Sequence, residues 1–221
     1  QRIVLRHVAD SPLLGPAPGL TNFWMCCGAS IGIAQGAGCG KYLAQWMVHG
    51  AADINMREFD PRRFGAYATP AYTRAKSVDD YQHMFVIHLP GEERMAGRVN
   101  RVSPLHDTLK AKGGVHMEVI GWERPKWFAL DGQEEKPGFG RTNAFEAVAR
   151  ECQAVRERVG VLDLSSFAKF EVSGADAASF LDRILANRAP RRVGGIALAH
   201  MLGEGGRIEN EFTVTRLADD R

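Results

Sequence analysis

Residues 27–50 of the 221-residue chain read CGASIGIAQGAGCGKYLAQWMVHG, and this stretch organises the first part of the sequence. The apolar run Leu20–Cys27 before it predicts a strand. After the glycines, apolar residues recur at helical spacing through residues 41–49, and Gly50 supplies a stop. The local plan is therefore strand, glycine-rich turn, helix.

The glycine-rich turn has two interpretations. Glycines let a ligand approach the backbone closely, and a following helix presents free N–H groups to an anionic or carbonyl oxygen. The segment Gly36–Lys41 is not a phosphate-binding P-loop, because Gln35 and Tyr42 stand where Gly and Ser or Thr are required, and a GxGxxG fingerprint is also missing. Close packing of the helix on the strand explains the same glycines, so both interpretations stay open at this point.

Composition places the chain among ordinary globular proteins. It is 45% hydrophobic and 24% charged with a net charge of +2, which excludes extended disorder and the basic excess of a nucleic-acid-binding protein. The longest nearly apolar run, residues 23–34, is shorter than the roughly 20 residues of a membrane span. The four cysteines form no CxxC pair, so we expect reduced thiols, as in a cytosol or a mitochondrial matrix. The seven histidines show no metal-binding spacing, and we predict no metal site.

The remaining patterns alternate between helix and strand, which predicts a mixed α+β fold. A strand is expected at 3–8, and residues 15–19 (GPAPG) have turn composition. The middle of the chain predicts a short helix from Asp60-Pro61, a longer one over Tyr72–His88 ended by Pro90, and a third from Ser103-Pro104 to Gly113-Gly114. The last part predicts helices over 143–159 and 174–186, strands over 116–120, 161–164, 170–173, 196–202 and 211–217, and a turn over 203–206.

The last strand carries candidate polar residues. Alternation along it puts Asn210 on one face with Phe212 and Val214, and Glu209 and Glu211 on the other. A carboxylate pair on one strand face could bind a base-like heterocycle. A water-facing edge fits the spacing equally well.

Two further clusters are favoured as structural. The aromatic segment 121–128 (GWERPKWF) could stack on a ring ligand through Trp and Arg, but an anchor between domains is the more common use. The arginines Arg188, Arg191 and Arg192 could receive an acidic substrate tail, whereas a solvated surface is the ordinary interpretation.

Several segments in fixed order resemble one family, and together they cover essentially the whole chain. They are GPAPGL at 15–20, CGASIGIAQGAG at 27–38, DPRRF at 60–64, RVSPL at 101–105, GWERPKWF at 121–128, DLSSFAKF at 163–170, FLDRILAN at 180–187 and HML at 200–202. The chain resembles the flavin-dependent dimethylglycine and sarcosine dehydrogenases that carry a folate-binding aminomethyltransferase half.

The resemblance implies an internal piece of a longer enzyme. Residues 1–58 would be the C-terminal part of an FAD-dependent oxidoreductase domain, 59–115 a central linker domain, and 116–221 the N-terminal part of the folate-binding domain. The implied function is oxidative N-demethylation of dimethylglycine or sarcosine, with FAD as oxidant and tetrahydrofolate as one-carbon acceptor. The remainder of the full-length chain would be its partner, and the piece alone is expected to be inactive.

The resemblance also implies site residues. The family places the turn after the last flavin-domain strand against the pyrimidine edge of the isoalloxazine, which here gives Gly28, Ala29, Ser30, Ile31, Gly32 and Ile33. The simpler aminomethyltransferases have Asp where this chain has Glu211, so we expect Glu211 as the catalytic carboxylate and its neighbour Asn210 as a folate contact.

Two other functions are alternatives to the N-demethylase. One is a folate-using aminomethyltransferase partner that oxidises nothing itself, and the other is an inert docking module without flavin. The sequence does not identify the amine or the electron acceptor.

Overall fold

The computed structural model describes residues 12–29, 32–129 and 131–221. Within these ranges it shows the mixed fold that the sequence predicts. Three antiparallel hairpins alternate with helices, and one of their strands, Trp122–Phe128, was not predicted. The elements are β1 Leu13–Pro16, β2 Trp24–Cys27, α1 Ile33–His49, a 3₁₀ turn Pro61–Arg63, α2 Pro70–His83, α3 His106–Ala111, β3 Gly114–Val119, β4 Trp122–Phe128, α4 Ala144–Glu157, α5 Ala177–Ile184, β5 Ile196–Leu202 and β6 Ile208–Thr215. The chain divides into two compact units, 1–167 and 168–221.

The first hairpin differs from its sequence prediction. The strand predicted at 3–8 lies outside the described residues, and the strand that pairs with β2 is Leu13–Pro16, part of which has turn composition. Leu14 stands opposite Cys26 and packs with Cys39 and Leu43 of α1. Burial of this apolar face outweighs the local turn signal of Gly15-Pro16.

Helix α1 begins earlier than predicted, directly after Gly32, so the later glycines lie inside the helix. Glycine costs about 1 kcal/mol relative to alanine at each interior position, and the packed face of α1 offsets that cost. The helix ends as predicted: Gly50 adopts a left-handed conformation (φ 77°) and donates its N–H to the Trp46 carbonyl at 2.9 Å.

Helix α2 starts with a Thr69 cap, whose hydroxyl accepts the Tyr72 N–H at 3.2 Å, followed by Pro70 at the first position. It ends at His83, so the predicted extension to residue 88 is wrong. Phe85 and Ile87 are almost fully exposed, so no apolar contact of these side chains among the described residues stabilises a longer helix.

The hairpin β3–β4 joins α3 and α4 to the middle of the chain. Trp127 of β4 is buried with Ala129 and with Ala144 and Ala147 of α4, so the buried face of this helix consists of alanines near its N-terminus. The strands predicted at 161–164 and 170–173 are wrong. These residues form no strand in the part of the chain that the structure describes, and Val161 and Phe170 are exposed.

Unit 168–221 contains α5 and the hairpin β5–β6. Strand β5 has the predicted bounds, the turn at 203–206 is present, and β6 starts at Ile208 rather than Glu211. No helix of the described ranges is long and apolar enough to cross a membrane.

Candidate functional site

The β5–β6 hairpin brings two polar side chains together across the strands. Glu211 of β6 stands directly opposite His200 of β5, and His200 Nε2 lies 3.0 Å from Glu211 Oε2. The Glu211 side chain is 59% exposed and that of His200 35% exposed. One carboxylate oxygen of Glu211 therefore contacts His200, and the side chain is accessible to a ligand.

Asn210 lies on the other face of β6. It stands opposite Met201 and is half-buried, as are Phe212 and Val214, whereas Glu211 and Thr213 are exposed. The alternation predicted from sequence is confirmed for Asn210 and Glu211, and a ligand lying on one face of the hairpin contacts only one of the two side chains.

Glu209 and Glu211 do not occupy equivalent positions on one face of a regular strand, as the alternation had predicted. A register shift pairs Leu202 with Ile208 and Met201 with Asn210, so Glu209 is an extra residue in β6. Its carboxylate lies beside Gly203 in the turn. Sequence alternation could not show this bulge, because it depends on the pairing across the hairpin.

The glycine turn is described at four of its six predicted residues, since Ser30 and Ile31 lie outside the described ranges. Gly28 and Gly32 both have left-handed backbones, with φ 77° and 70°. Gly32, directly before α1, donates its N–H to the Ala29 carbonyl at 3.0 Å. The N-terminus of α1 has no side-chain cap and no acidic residue in its first turn, and Ile33 is 98% exposed.

The described residues leave open space beside the glycines of this segment. A Cβ built on Gly32, Gly36, Gly38 or Gly40 meets no atom within 4 Å among the described residues. An uncapped helix N-terminus beside open backbone suits a carbonyl or anionic oxygen. The residues present thus fit the pyrimidine edge of a flavin.

The cysteines near this turn are free thiols. Cys26, Cys27 and Cys39 form no disulfide. Burial, and then the neighbouring Cys26, raise the pKa of Cys27 and of Cys39, which keeps these thiols protonated. Cys39 packs as a small apolar group beside Leu14 and Leu43, whereas Cys26 and Cys27 are exposed.

A cleft formed by residues between 57 and 121 was not predicted from the sequence. It has a volume of about 1030 Å³ and is lined by charged residues of both signs with Phe64, Tyr67 and Tyr72. Tyr72 donates to Glu118, and Lys76 pairs with the same carboxylate. Burial, followed by this hydrogen bond, raises the pKa of Tyr72. Because Tyr72 and Glu118 are 46 residues apart, no local motif connects them.

A second ionic contact near the cleft is buried. Arg98 Nε donates to Glu123 Oε1 at 2.9 Å, and Arg98 Nη2 donates to the His116 carbonyl at 2.9 Å. The Arg98 and Glu123 side chains are 7% and 2% exposed. This pair joins the loop before α3 to both strands of the β3–β4 hairpin.

The aromatic segment 121–128 is structural in this geometry. The Arg101 guanidinium lies 4.8 Å from the Tyr67 ring centre and 4.2 Å from that of Trp122, so the cation–π partner is an internal side chain. The three arginines Arg188, Arg191 and Arg192 are exposed.

Two family models match the chain in consecutive regions. The FAD dependent oxidoreductase central domain matches residues 49–103, and the GCVT N-terminal domain matches residues 105–221. The second model alone covers more than half of the chain.

Relatives match across nearly all of the chain. Dimethylglycine dehydrogenase of Mus musculus is 42% identical over 208 residues, which are 93% of this chain and 24% of that protein. Sarcosine dehydrogenase of Homo sapiens is 34% identical over 94% of this chain and 26% of that protein. The pyruvate dehydrogenase phosphatase regulatory subunit of Mus musculus is 34% identical over 93% of this chain and 24% of that protein. All three are named as mitochondrial.

The chain spans about a quarter of the length of these relatives. Both matched regions occur here in one chain, and the match to the two dehydrogenases runs through both. The chain therefore belongs to the dimethylglycine and sarcosine dehydrogenase family, with its GCVT N-terminal domain following the oxidoreductase central domain.

Proposed function

We propose that this chain is part of a flavin-dependent N-demethylase that oxidises a methylated glycine and passes the one-carbon unit to tetrahydrofolate. The match to dimethylglycine dehydrogenase over 93% of the chain carries the proposal. Sarcosine is the second candidate amine, supported by the sarcosine dehydrogenase match. We also propose a mitochondrial matrix or bacterial cytoplasmic location.

The flavin contact is assigned to the turn at residues 28–33. Gly28, Ala29, Gly32 and Ile33 would place backbone groups and the N-terminus of α1 against the pyrimidine edge, with Ser30 and Ile31 assigned on sequence alone. Flavin, when bound, supplies the hydride-accepting chemistry. The protein contributes orientation and the polarity of the helix N-terminus.

The folate contact is assigned to the β5–β6 hairpin. Glu211 would exchange a proton with the folate nitrogen that receives the one-carbon unit, which is general acid–base work. Its exposed oxygen and its partner His200 support this role. Asn210 remains the second proposed folate contact, on the other face of β6 from Glu211.

The decisive experiment replaces Glu211 in the full-length enzyme that carries this sequence. Glu211→Gln keeps side-chain volume and removes the basic site, and loss of a general base typically costs about 10²- to 10⁴-fold in the assisted step. Flavin reduction by the amine should be unchanged, while methylenetetrahydrofolate falls and formaldehyde rises. Glu204→Gln, in the exposed turn of the same hairpin, is the matched control. Unchanged folate product in Glu211→Gln would overturn this role.

The flavin assignment is tested by Gly32→Val in the same enzyme. A β-branched side chain at this position would block approach of the ring to the backbone. Gly19→Val is the matched control, because Gly19 has a similar φ of 73° and also open space. We expect bound FAD to fall in Gly32→Val and not in Gly19→Val. Equal loss of flavin in both variants would show backbone strain rather than a ring contact.

A docking module without flavin is the second candidate. It is favoured by the 34% identity to a protein named as a phosphatase regulatory subunit, which is not itself named as an oxidoreductase. Absorbance in the flavin bands of the purified full-length protein separates the two. A colourless preparation that binds no added FAD would favour the docking module.

A further inference from the structure

We propose that His200 is a positioning residue for Glu211, and that it fixes the carboxylate rotamer needed for proton exchange with folate. This inference rests on the proposed function of Glu211. It starts from the 3.0 Å contact between His200 Nε2 and Glu211 Oε2 across the hairpin. Both residues belong to the same two-stranded unit, so the contact does not depend on any other part of the chain.

The backbone of His200 is fixed from the outer side of β5. Ala186 donates its N–H to the His200 carbonyl at 2.7 Å, and the His200 N–H donates to Asn187 Oδ1 at 3.2 Å. Asn187 in turn donates its amide Nδ2 to the Leu198 carbonyl at 2.6 Å. Residues 186–187 therefore brace the edge of the strand next to His200.

This bracing sets the distance between the two side chains. Because both backbone polar groups of His200 point outward to residues 186–187, His200 and Glu211 form a non-hydrogen-bonded antiparallel pair. Such pairs hold their Cα atoms about 4.5 Å apart, closer than the other kind, and their side chains lie side by side. The short reach from imidazole to carboxylate follows from the strand register.

The contact leaves one carboxylate oxygen for chemistry. With Glu211 ionised, Nε2–H of His200 donates to Oε2, and the structure shows no partner for Oε1 within residues 168–221. An exposed glutamate otherwise exchanges among several rotamers, and a displacement of about 1 Å can cost 10²-fold in rate. The longer side chain of Glu, compared with Asp, increases the need for such a restraint.

The same pair adds little to folding. Its side chains are 35% and 59% exposed, and exposed ion pairs contribute about 0–1 kcal/mol. A purely structural role would therefore leave both stability and catalysis almost unchanged when His200 is replaced. A positioning role changes catalysis alone.

The test uses the full-length enzyme with His200→Leu and His200→Gln. Leucine removes the donor, whereas the glutamine amide nitrogen reaches approximately the place of Nε2 and keeps the hydrogen bond. We expect His200→Leu to lower kcat of the folate step about 10- to 100-fold, with KM for tetrahydrofolate within about twofold of wild type. His200→Gln should recover most of that loss, and flavin reduction should not change. His49→Leu, at an exposed histidine of α1, is the matched control.

The double variant His200→Leu/Glu211→Gln separates positioning from an independent effect. If His200 acts only through Glu211, the double variant is no slower in the folate step than Glu211→Gln alone. A further loss would overturn the inference, and so would wild-type kcat in His200→Leu or equal loss in the Leu and Gln variants. A wild-type folate step in Glu211→Gln would instead overturn the proposed function. Impaired Glu211→Gln with unimpaired His200→Leu defeats only the positioning role.

Discussion

Two carboxylates with basic partners occupy opposite environments in this chain. Glu123 and Arg98 are almost completely buried in unit 1–167, whereas Glu211 and His200 are exposed in unit 168–221. Arg98 has further oxygen partners, since Glu93 lies within 3.8 Å and the His116 carbonyl accepts a hydrogen bond. Glu211 contacts His200, and its side chain is 59% exposed. Burial therefore distinguishes a carboxylate enclosed by the fold from one that is accessible, as the role proposed for Glu211 requires.

Electrostatics supports the same division. Hydrogen bonding to Glu123 raises the pKa of Arg98, so the guanidinium stays charged. A fully paired, buried arginine cannot serve as a proton carrier at any physiological pH. The exposed hairpin pair contains two groups that do exchange protons in enzymes.

The largest expected effect is on stability, from Arg98→Leu. Removing one partner leaves the Glu123 charge buried and unpaired, which typically costs about 3–5 kcal/mol. We expect the free energy of unfolding of the 221-residue chain in urea to fall by this amount. Arg74→Leu, at an exposed arginine of α2, should change it by less than about 0.5 kcal/mol. A loss below about 1 kcal/mol in Arg98→Leu would show that the burial has no energetic consequence.

A smaller loss is expected from Gly121→Ala, at the turn that leads into the buried Glu123. Gly121 has φ 76°, and a Cβ there would lie 2.6 Å from Tyr67 Cδ2. Strain and overpacking together should cost about 1–3 kcal/mol in unfolding free energy. Gly132→Ala isolates the backbone term, because Gly132 has φ 65° with open space around its Cβ position. Equal losses in the two variants would exclude the contact with Tyr67 as a cause.

The elements that sequence predicted well have local signals. The Gly50 stop, the Asp60-Pro61 turn and the strand 196–202 depend on neighbouring residues, and the structure has all three. By contrast, Leu13–Pro16 becomes a strand only because it pairs with residues 24–27 and covers α1. Long-range pairing overrides the local turn composition there.

The candidate site shows the same limit. Alternation predicted that Asn210 and Glu211 lie on opposite faces of a strand, but His200 became a partner only through the register of the hairpin. The histidine itself belongs to no metal-binding spacing, so the sequence favoured a structural role for it. The cleft around Tyr72 and Glu118 depends on contacts between distant segments, which no motif in one segment encodes.

The next expected effect is a pH dependence of the free energy of unfolding, which arises from His116 beside the buried Arg98–Glu123 pair. Burial, and then the nearby His106, lower the pKa of His116 from its ordinary value of 6.5, with Arg98 adding to the lowering and Glu123 opposing it. Between the folded and unfolded pKa values the unfolded chain binds the extra proton. The contribution of neutral His116 to the free energy of unfolding is therefore complete above about pH 6.5. It is lost as the pH falls through the pKa of His116 in the folded chain.

Urea unfolding at several pH values between 5 and 8 tests this dependence. His116→Gln should flatten the slope below pH 6.5, while the exposed His49→Gln should retain it. A slope that survives in His116→Gln would assign the dependence to another histidine, with the neighbouring His106 the first to examine, since the two ring centres lie 4.7 Å apart.

The smallest expected effect on the free energy of unfolding comes from Glu211→Gln, in the exposed pair. Glu211→Gln removes the ion pair with His200, but both side chains are well solvated and an exposed pair of this kind contributes at most about 1 kcal/mol. Glutamine also retains an oxygen that can accept the imidazole hydrogen bond, so the unfolding free energy of the 221-residue chain should change by less than about 0.5 kcal/mol. The measurement is urea unfolding at pH 7, in parallel with Arg98→Leu. A loss near that of Arg98→Leu would mean that Glu211 is a folding residue, and a reduced folate yield in Glu211→Gln would then report misfolding rather than a missing proton acceptor.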